Sequence, residues 1–222
     1  MTFDKNFNTY DNNAIVQKKV AATLAEYIKA DSSLLKNIDK VIELGCGTGI
    51  FSKEFLSRFT PNYFILNDFF DVKEYLKNLN YNEFIQGDIE VIAFPKADII
   101  ISSSAFQWAN SFEKLIDNIS VSTSNLAFSI YTKGNLKEIY EHFNISLNYL
   151  ENEEIYQILR KKFKNTTSKK ETIILDFNNP LDILRHLKNT GVTGFQKTSI
   201  GKIRSFNSYS LTYEVSYFIC KI

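Results

Sequence analysis

Three carboxylates and three glycines carry the chemistry open to this chain. Glu43 follows the apolar run Val41-Ile42 and leads through Leu44 into Gly45-Cys46-Gly47-Thr48-Gly49. Asp68 stands 19 residues beyond Gly49, and Asp88 belongs to Gly87-Asp88-Ile89. Glycine has no Cβ, takes positive φ at little cost and lets a ligand come within contact distance of the backbone. The spacing is not the dinucleotide fingerprint, whose third glycine comes one residue later, and no Lys-Ser/Thr pair follows as in a phosphate loop. A carboxylate over the loop repels a pyrophosphate and attracts a cation. The residues favour a ligand with an ammonium or sulfonium group and no phosphate, and S-adenosylmethionine is such a ligand. The alternative is a glycine-rich turn that binds nothing.

These residues need a strand before the loop and a helix after it. Ile50, Phe51, Phe55, Leu56 and Phe59 recur at helical spacing, and a helix begun there aims N–H groups over the turn. Tyr63-Phe64-Ile65-Leu66 is continuously apolar, as a buried parallel strand is. It ends in Asn67-Asp68. An acidic residue about 20 positions on, at the end of the second strand, accepts hydrogen bonds from ribose hydroxyls. The other reading makes Asp68 or Asp71 the N-cap of a helix expected over 71–79. Phe84-Ile85 forms a third strand, leaving Asp88 to accept from an adenine amine and Ile89 to cover the ring. A fourth strand over 97–101 exits into Ser102-Ser103-Ser104-Ala105-Phe106-Gln107-Trp108. Small hydroxyl residues keep that backbone close to a ligand, and Trp108 reads equally as core or as a substrate wall.

With a helix over 111–119 and a fifth strand over 126–131, strand and helix alternate five times, which is a doubly wound α/β sheet. Such sheets bind ligands outside the carboxyl ends of their strands. Helices are expected over 14–29, 33–38, 135–143, 150–163 and 181–189, with late strands over 171–177 and 211–220. The expected architecture is Rossmann-like and seven-stranded, with an antiparallel last strand at the sheet edge and a small helical cap inserted after strand five. One domain spans 1–222: an N-terminal helical arm over 1–39, with Phe3, Phe7 and Tyr10 as its aromatics, and a substrate cap over 132–170.

Composition narrows the function. The net charge of +1, from 26 basic and 25 acidic residues, lacks the basic excess of a nucleic-acid surface. Two cysteines, Cys46 and Cys220, make neither a disulfide framework nor a metal site. The N-terminus has no signal-peptide core, and no apolar run reaches the ~18 residues of a membrane span. A cytoplasmic monomer, away from membranes and without a metal, is expected.

Glu43-Leu-Gly-Cys-Gly-Thr-Gly with Asp68 and Gly87-Asp88 resembles the class I S-adenosylmethionine-dependent methyltransferases. Tyr10-Asp-Asn-Asn-Ala-Ile-Val-Gln17, Ser102 to Trp108, Leu184-Arg-His-Leu-Lys-Asn-Thr-Gly-Val-Thr193 and Leu211-Thr-Tyr-Glu-Val resemble, more narrowly, the malonyl-acyl-carrier-protein O-methyltransferases of biotin synthesis. That resemblance implies methylation of the free carboxylate of a malonyl thioester, on acyl carrier protein or coenzyme A, toward pimelate. The chain is short for that family, which implies a trimmed cap, and Asn67-Asp68-Phe69-Phe70 departs from its usual small or aliphatic continuation. The cofactor residues so expected are Tyr10, Gln17, Glu43, Gly45, Cys46, Gly47, Gly49, Asp68, Phe69, Asp88, Ile89 and Ser102. Tyr10 and Gln17 would bind the methionine carboxylate, unless Tyr10 simply packs the arm. A carboxylate with a pKa near ~4 is already ionised, so no general base is expected. The substrate residues expected are Gln107, Trp108, Arg160 and Arg185, with Arg160 preferred over Arg58, Arg185 and Arg204 for holding the carboxylate. His142 and His186 read as structural. Lys161, Lys162, Lys188 and Lys202 offer charge to an acidic carrier. Competing readings are a methyltransferase acting on another small carboxylate or oxygen, and a non-catalytic cofactor-binding scaffold.

Overall fold

Alternation within each strand explains the two-sided core. In β1 (Lys40–Leu44), Val41 packs into one apolar layer while Ile42 and Leu44 pack into the other. β2 (Tyr63–Asp68) does the same with Phe64 and Leu66 against Ile65. Side chains one residue apart point to opposite faces, so strands this apolar must be covered on both sides. The computed structural model describes residues 7–34, 38–191 and 198–222, with the side chains of residues 7–9 left aside. Phe3, the Phe7 ring, residues 35–37 of the helix expected over 33–38, and Val192 and Thr193 therefore lie outside the described residues.

β3 (Glu83–Gln86), β4 (Ile99–Ser103), β5 (Asn125–Tyr131), β6 (Asn165–Asp176) and β7 (Ser210–Lys221) complete one sheet of order β3-β2-β1-β4-β5-β7-β6. β1 pairs in parallel with both β2 and β4, so the order reverses between β1 and β4. That reversal opens a crevice at the carboxyl ends of the two strands. On one face lie α2 (Ile15–Ala30), α3 (Ile50–Leu56), α5 (Lys137–Phe143) and α7 (Pro180–Asn189). On the other lie α4 (Phe112–Ser120) and α6 (Asn152–Arg160). α1 (Phe7–Asn13) leads into α2, and α8 (Ile200–Arg204) precedes β7. Each fully buried Leu, Ile or Phe in these layers contributes about 1.5–3 kcal/mol of transfer free energy. Among the described residues no helix is long and apolar enough to cross a membrane.

The seven strands and the antiparallel last one stand as the sequence implies, but the edge does not. β7 runs antiparallel between β5 and β6, and β6 is the edge. β6 also starts at Asn165, six residues before the expected strand. Its first half, Asn-Thr-Thr-Ser-Lys-Lys, shows no apolar alternation because it is mostly exposed, and lysines suit an unpaired edge. The expected cap over 132–170 thus comprises α5, α6 and the first residues of β6. The helix expected over 71–79 shrinks to one 3-10 turn, Lys73–Leu76, where only Val72 and Leu76 find full burial. α8 was hidden by its lack of a buried residue.

Candidate active site

The glycine loop is closed by its own backbone and braced from β2. The Cys46 amide donates to the Asn67 carbonyl at 2.9 Å, and the Gly49 amide to the Cys46 carbonyl at 2.9 Å. Gly45 has φ +69°, and a Cβ there would come within 2.4 Å of the Ala105 Cβ. The loop therefore tucks against the exit of β4, as close as glycine alone allows. Gly47 has φ +53° with open space where a Cβ would stand, so the loop presents bare backbone to the cavity it lines.

The carboxylates surround this loop. Asp68 is 8% exposed; its two oxygens accept from the amides of Gly47 (2.8 Å) and Phe70 (3.0 Å). Burial raises its pKa and those amides oppose the rise. Beside it, the buried Asn67 amide donates to the carbonyls of Ile85 and Gly87 at 2.9 and 3.1 Å, tying the end of β2 to the exit of β3. Glu43 is buried, and burial pushes its carboxyl up to about 8, with the Asp68 charge adding to the rise. One of its oxygens, Oε2, has no hydrogen-bond partner. Asp88 accepts the Glu90 amide at 2.9 Å, a local turn that leaves the carboxylate facing the crevice. Glu90 accepts from both nitrogens of Asn110, at 2.7 and 2.9 Å, and from the Ser111 amide at 2.8 Å. Burial works against its charge, but these amides outweigh it and hold the carboxyl below its ordinary range.

Together these groups line a cavity of about 580 Å³ over the crevice. Of the twelve residues the sequence assigns to a cofactor, it brings together Tyr10, Gln17, Glu43, Gly45, Cys46, Gly47, Asp68, Phe69, Asp88 and Ile89. Two do not line it. Gly49 caps α3 behind the loop, and Ser102 is buried with its hydroxyl donating to the Leu44 carbonyl at 2.8 Å. Trp108 walls this cavity and a second one of about 30 Å³, which Gln107 lines as well. The two arginines lie elsewhere. Arg160 is exposed at the end of α6, its guanidinium 5.7 Å from the Tyr156 ring centre. Arg185 is exposed and paired with Asp182 at 2.7 Å. Among the described residues no Lys or Arg lines either cavity. No group of three or more His, Cys, Asp or Glu among them is arranged for a metal. His186 is buried with Nε2 2.9 Å from the Tyr213 hydroxyl, and His142 Nε2 lies 2.8 Å from the Lys202 carbonyl.

Several lining residues escaped the sequence reading. Thr48 donates its hydroxyl to Asp11 at 2.6 Å, tying the loop to α1. Glu90 sits two residues after Asp88, which was its only signal. Ser104 has φ +56°, a conformation that no spacing announces.

Comparison with known proteins gives this geometry its family. A methyltransferase domain model matches residues 42–123, the span from β1 through α4. A malonyl-acyl-carrier-protein O-methyltransferase from Calditerrivibrio nitroreducens is 34% identical over 226 residues, covering 95% of this chain and 90% of that one. The chain belongs to the malonyl-acyl-carrier-protein O-methyltransferase family. Another protein of that name, from Bacteroides thetaiotaomicron, is 36% identical over 89% of this chain and 78% of its own length. Among solved structures, the plantazolicin methyltransferase BpumL in complex with SAH superposes with a TM-score of 0.59 at 15% identity, covering 99% of this chain and 90% of that one. At that identity the likeness concerns the fold.

Proposed function

We propose that the protein binds S-adenosylmethionine in the large cavity and methylates the free carboxylate of a malonyl thioester. The observation that carries the cofactor assignment is the buried, unpartnered Oε2 of Glu43 in a cavity walled by acids and, among the described residues, by no base. A buried acceptor of this kind is costly unless a ligand supplies a donor, and a cationic ligand supplies both donor and charge. Gln17 Oε1 lines the same cavity and also lacks a partner, which suits an ammonium group. Asp68 and Asp88 present oxygens to ribose hydroxyls and to an adenine amine, with Ile89 against the ring. Tyr10, Cys46 and Phe69 complete the wall. When bound, S-adenosylmethionine supplies a sulfonium methyl group that passes to the carboxylate oxygen, the bonding pair remaining on sulfur.

The chain's residues have no proton to move, because the substrate carboxylate is ionised at neutral pH. Their work is to orient the acid and keep water out. Family membership over nine-tenths of a relative's length supports the malonyl thioester as substrate. It also supports acyl carrier protein as the carrier, with coenzyme A as the alternative. Lys161 and Lys162 are engaged with Glu113 and Asp117 of α4, at 2.6 and 2.8 Å, which leaves less free charge on that flank for a carrier.

The test is to incubate the protein with S-adenosylmethionine and malonyl-acyl carrier protein and look by mass spectrometry for one added methyl group. Malonyl-coenzyme A and free malonate run in parallel. Methylation of the carrier-bound malonyl group alone is the expected result. Methylation of free acids but of neither thioester would replace this reading with a small-acid methyltransferase.

A further inference from the structure

We propose that the small cavity beside the large one seats the substrate's free carboxylate, and that the hydroxyls of Ser104 and Tyr131 hold it there. The inference rests on the carboxyl-methylating function proposed above. The two cavities share Tyr10, Gln17, Ser104 and Trp108 as walls, so a group seated in the small one lies next to whatever fills the large one. The small cavity sets polar side chains among the apolar walls of Leu136, Leu147 and Trp108, and it is uncharged. Tyr131, Tyr149, Tyr213, Asn135 and Gln107 line it, and among the described residues no cation does. An anion entering it must be held by neutral donors.

Two such donors are free. Ser104 Oγ and the Tyr131 hydroxyl are both buried and without a hydrogen-bond partner. Ser104 approaches Tyr131 without closing a bond between them. Of the other tyrosines, Tyr213 is engaged with His186 Nε2 at 2.9 Å, and Tyr149 approaches the Asn135 side chain. An unmet buried hydroxyl is costly, so two side by side call for a ligand that meets them. Burial also keeps the Tyr131 proton in place well above neutral pH, so it stands ready to donate.

The backbone adds a separate observation. Ser104 is one of three non-glycine residues with positive φ among those described, at +56°. It is pinned there. Its amide donates to the Ser129 carbonyl at 3.1 Å, and its carbonyl accepts from Gln107 Nε2 at 2.5 Å. Left-handed backbone at a serine is strained, and strain of this kind collects where a side chain must be placed. Here it places a hydroxyl on the wall common to both cavities.

Size and charge then set selectivity. A volume of about 30 Å³ has room for one or two water-sized groups. It admits a carboxylate one methylene from its thioester and excludes a longer acid arm. Neutral donors also leave more negative charge on the attacking oxygen than a guanidinium would, which favours its reaction as a nucleophile.

The protein has a single tryptophan, Trp108, and its fluorescence reports on both cavities. Binding of malonyl- and acetyl-acyl carrier protein is measured with S-adenosylhomocysteine present, so that nothing turns over. Tyr131→Phe and Ser104→Gly are compared with wild type; glycine relieves the strained φ and phenylalanine keeps the ring. Each variant is expected to weaken malonyl-carrier binding about tenfold, with acetyl-carrier affinity and melting temperature unchanged or raised; Tyr131→Phe, at a residue that does not line the large cavity, also leaves S-adenosylhomocysteine affinity unchanged. Unchanged malonyl-carrier affinity in both variants overturns this assignment while the methyltransferase reading stands. A wild-type protein that binds malonyl- and acetyl-carrier protein alike, and methylates neither, overturns that reading and this assignment with it.

Discussion

The Asp68 carboxylate accepts the Gly47 amide at 2.8 Å across the mouth of the glycine loop. A residue read from its spacing as a ribose ligand is therefore also a brace. Its second oxygen holds the Phe70 amide, so one side chain fixes both the loop and the turn after β2. Each oxygen has capacity for a second hydrogen bond, and the residue lines the cavity. Asp68→Ala leaves two amides without acceptors and removes the proposed ribose contact together. The expected cost is about 2–3 kcal/mol of stability, with cofactor affinity down at least tenfold. Urea unfolding and calorimetric titration with S-adenosylmethionine measure the two. A variant that keeps full affinity would separate Asp68 from the ligand.

Gly45 and Ala105 form a steric pair. A Cβ on residue 45 would stand 2.4 Å from the Ala105 Cβ, in a backbone conformation that L-residues avoid. Gly45→Ala is expected to lower the melting temperature and abolish cofactor binding by displacing the loop. Ala105→Gly in the same chain removes the clash but not the φ strain, so it should restore part of the loss. No recovery in the double variant would mean that φ strain alone decides at this position.

The sheet, the loop and the two aspartates were legible because each has a local signature. Val41-Ile42 and Phe64-Ile65-Leu66 are buried on both faces, so they read as continuous apolar runs. The glycines are fixed by close approach, and Asp68 and Asp88 stand at strand ends. Other features depend on partners distant in sequence. Glu90 matters because it gathers Asn110 and Ser111 from 20 and 21 residues away. Ser104 matters because β5 supplies Ser129 beside it and Tyr131 across from it. The first half of β6 is a strand only because β7 offers it an edge, with Asn165 opposite Lys221 and Lys170 opposite Ser216. Arg160 and Arg185 drew attention as cations in the right part of the chain, yet the helices carrying them turn both toward solvent.

That placement has a consequence for substrate binding. Arg160 packs over Tyr156 and Arg185 pairs with Asp182, an exposed pair worth at most about 1 kcal/mol. Arg160→Gln and Arg185→Gln are expected to leave KM for malonyl-acyl carrier protein within about twofold of wild type. Steady-state kinetics over a range of salt concentrations tests this. A tenfold rise in KM that persists at high salt would show that one of these arginines reaches the substrate directly.

Glu43 makes both stability and cofactor binding depend on pH. Its folded-state pKa of about 8 lies above that of an exposed glutamate. The stabilising contribution of the protonated form is therefore complete below about pH 4.3 and is lost as pH rises through about 8. Between those limits the ligand-free protein should lose stability with rising pH, by up to about 1.4 kcal/mol per unit from this group. Asp68 is shifted in the same direction, so the comparison that isolates Glu43 is wild type against Glu43→Gln, whose profile should be flatter. A cationic cofactor favours the ionised carboxylate, so binding should release a proton and strengthen from pH 6 toward 8. Calorimetry in two buffers of different ionisation enthalpy counts that proton. Equal heats in both buffers at pH 7, with affinity flat across the range, would mean that Glu43 does not face the cation.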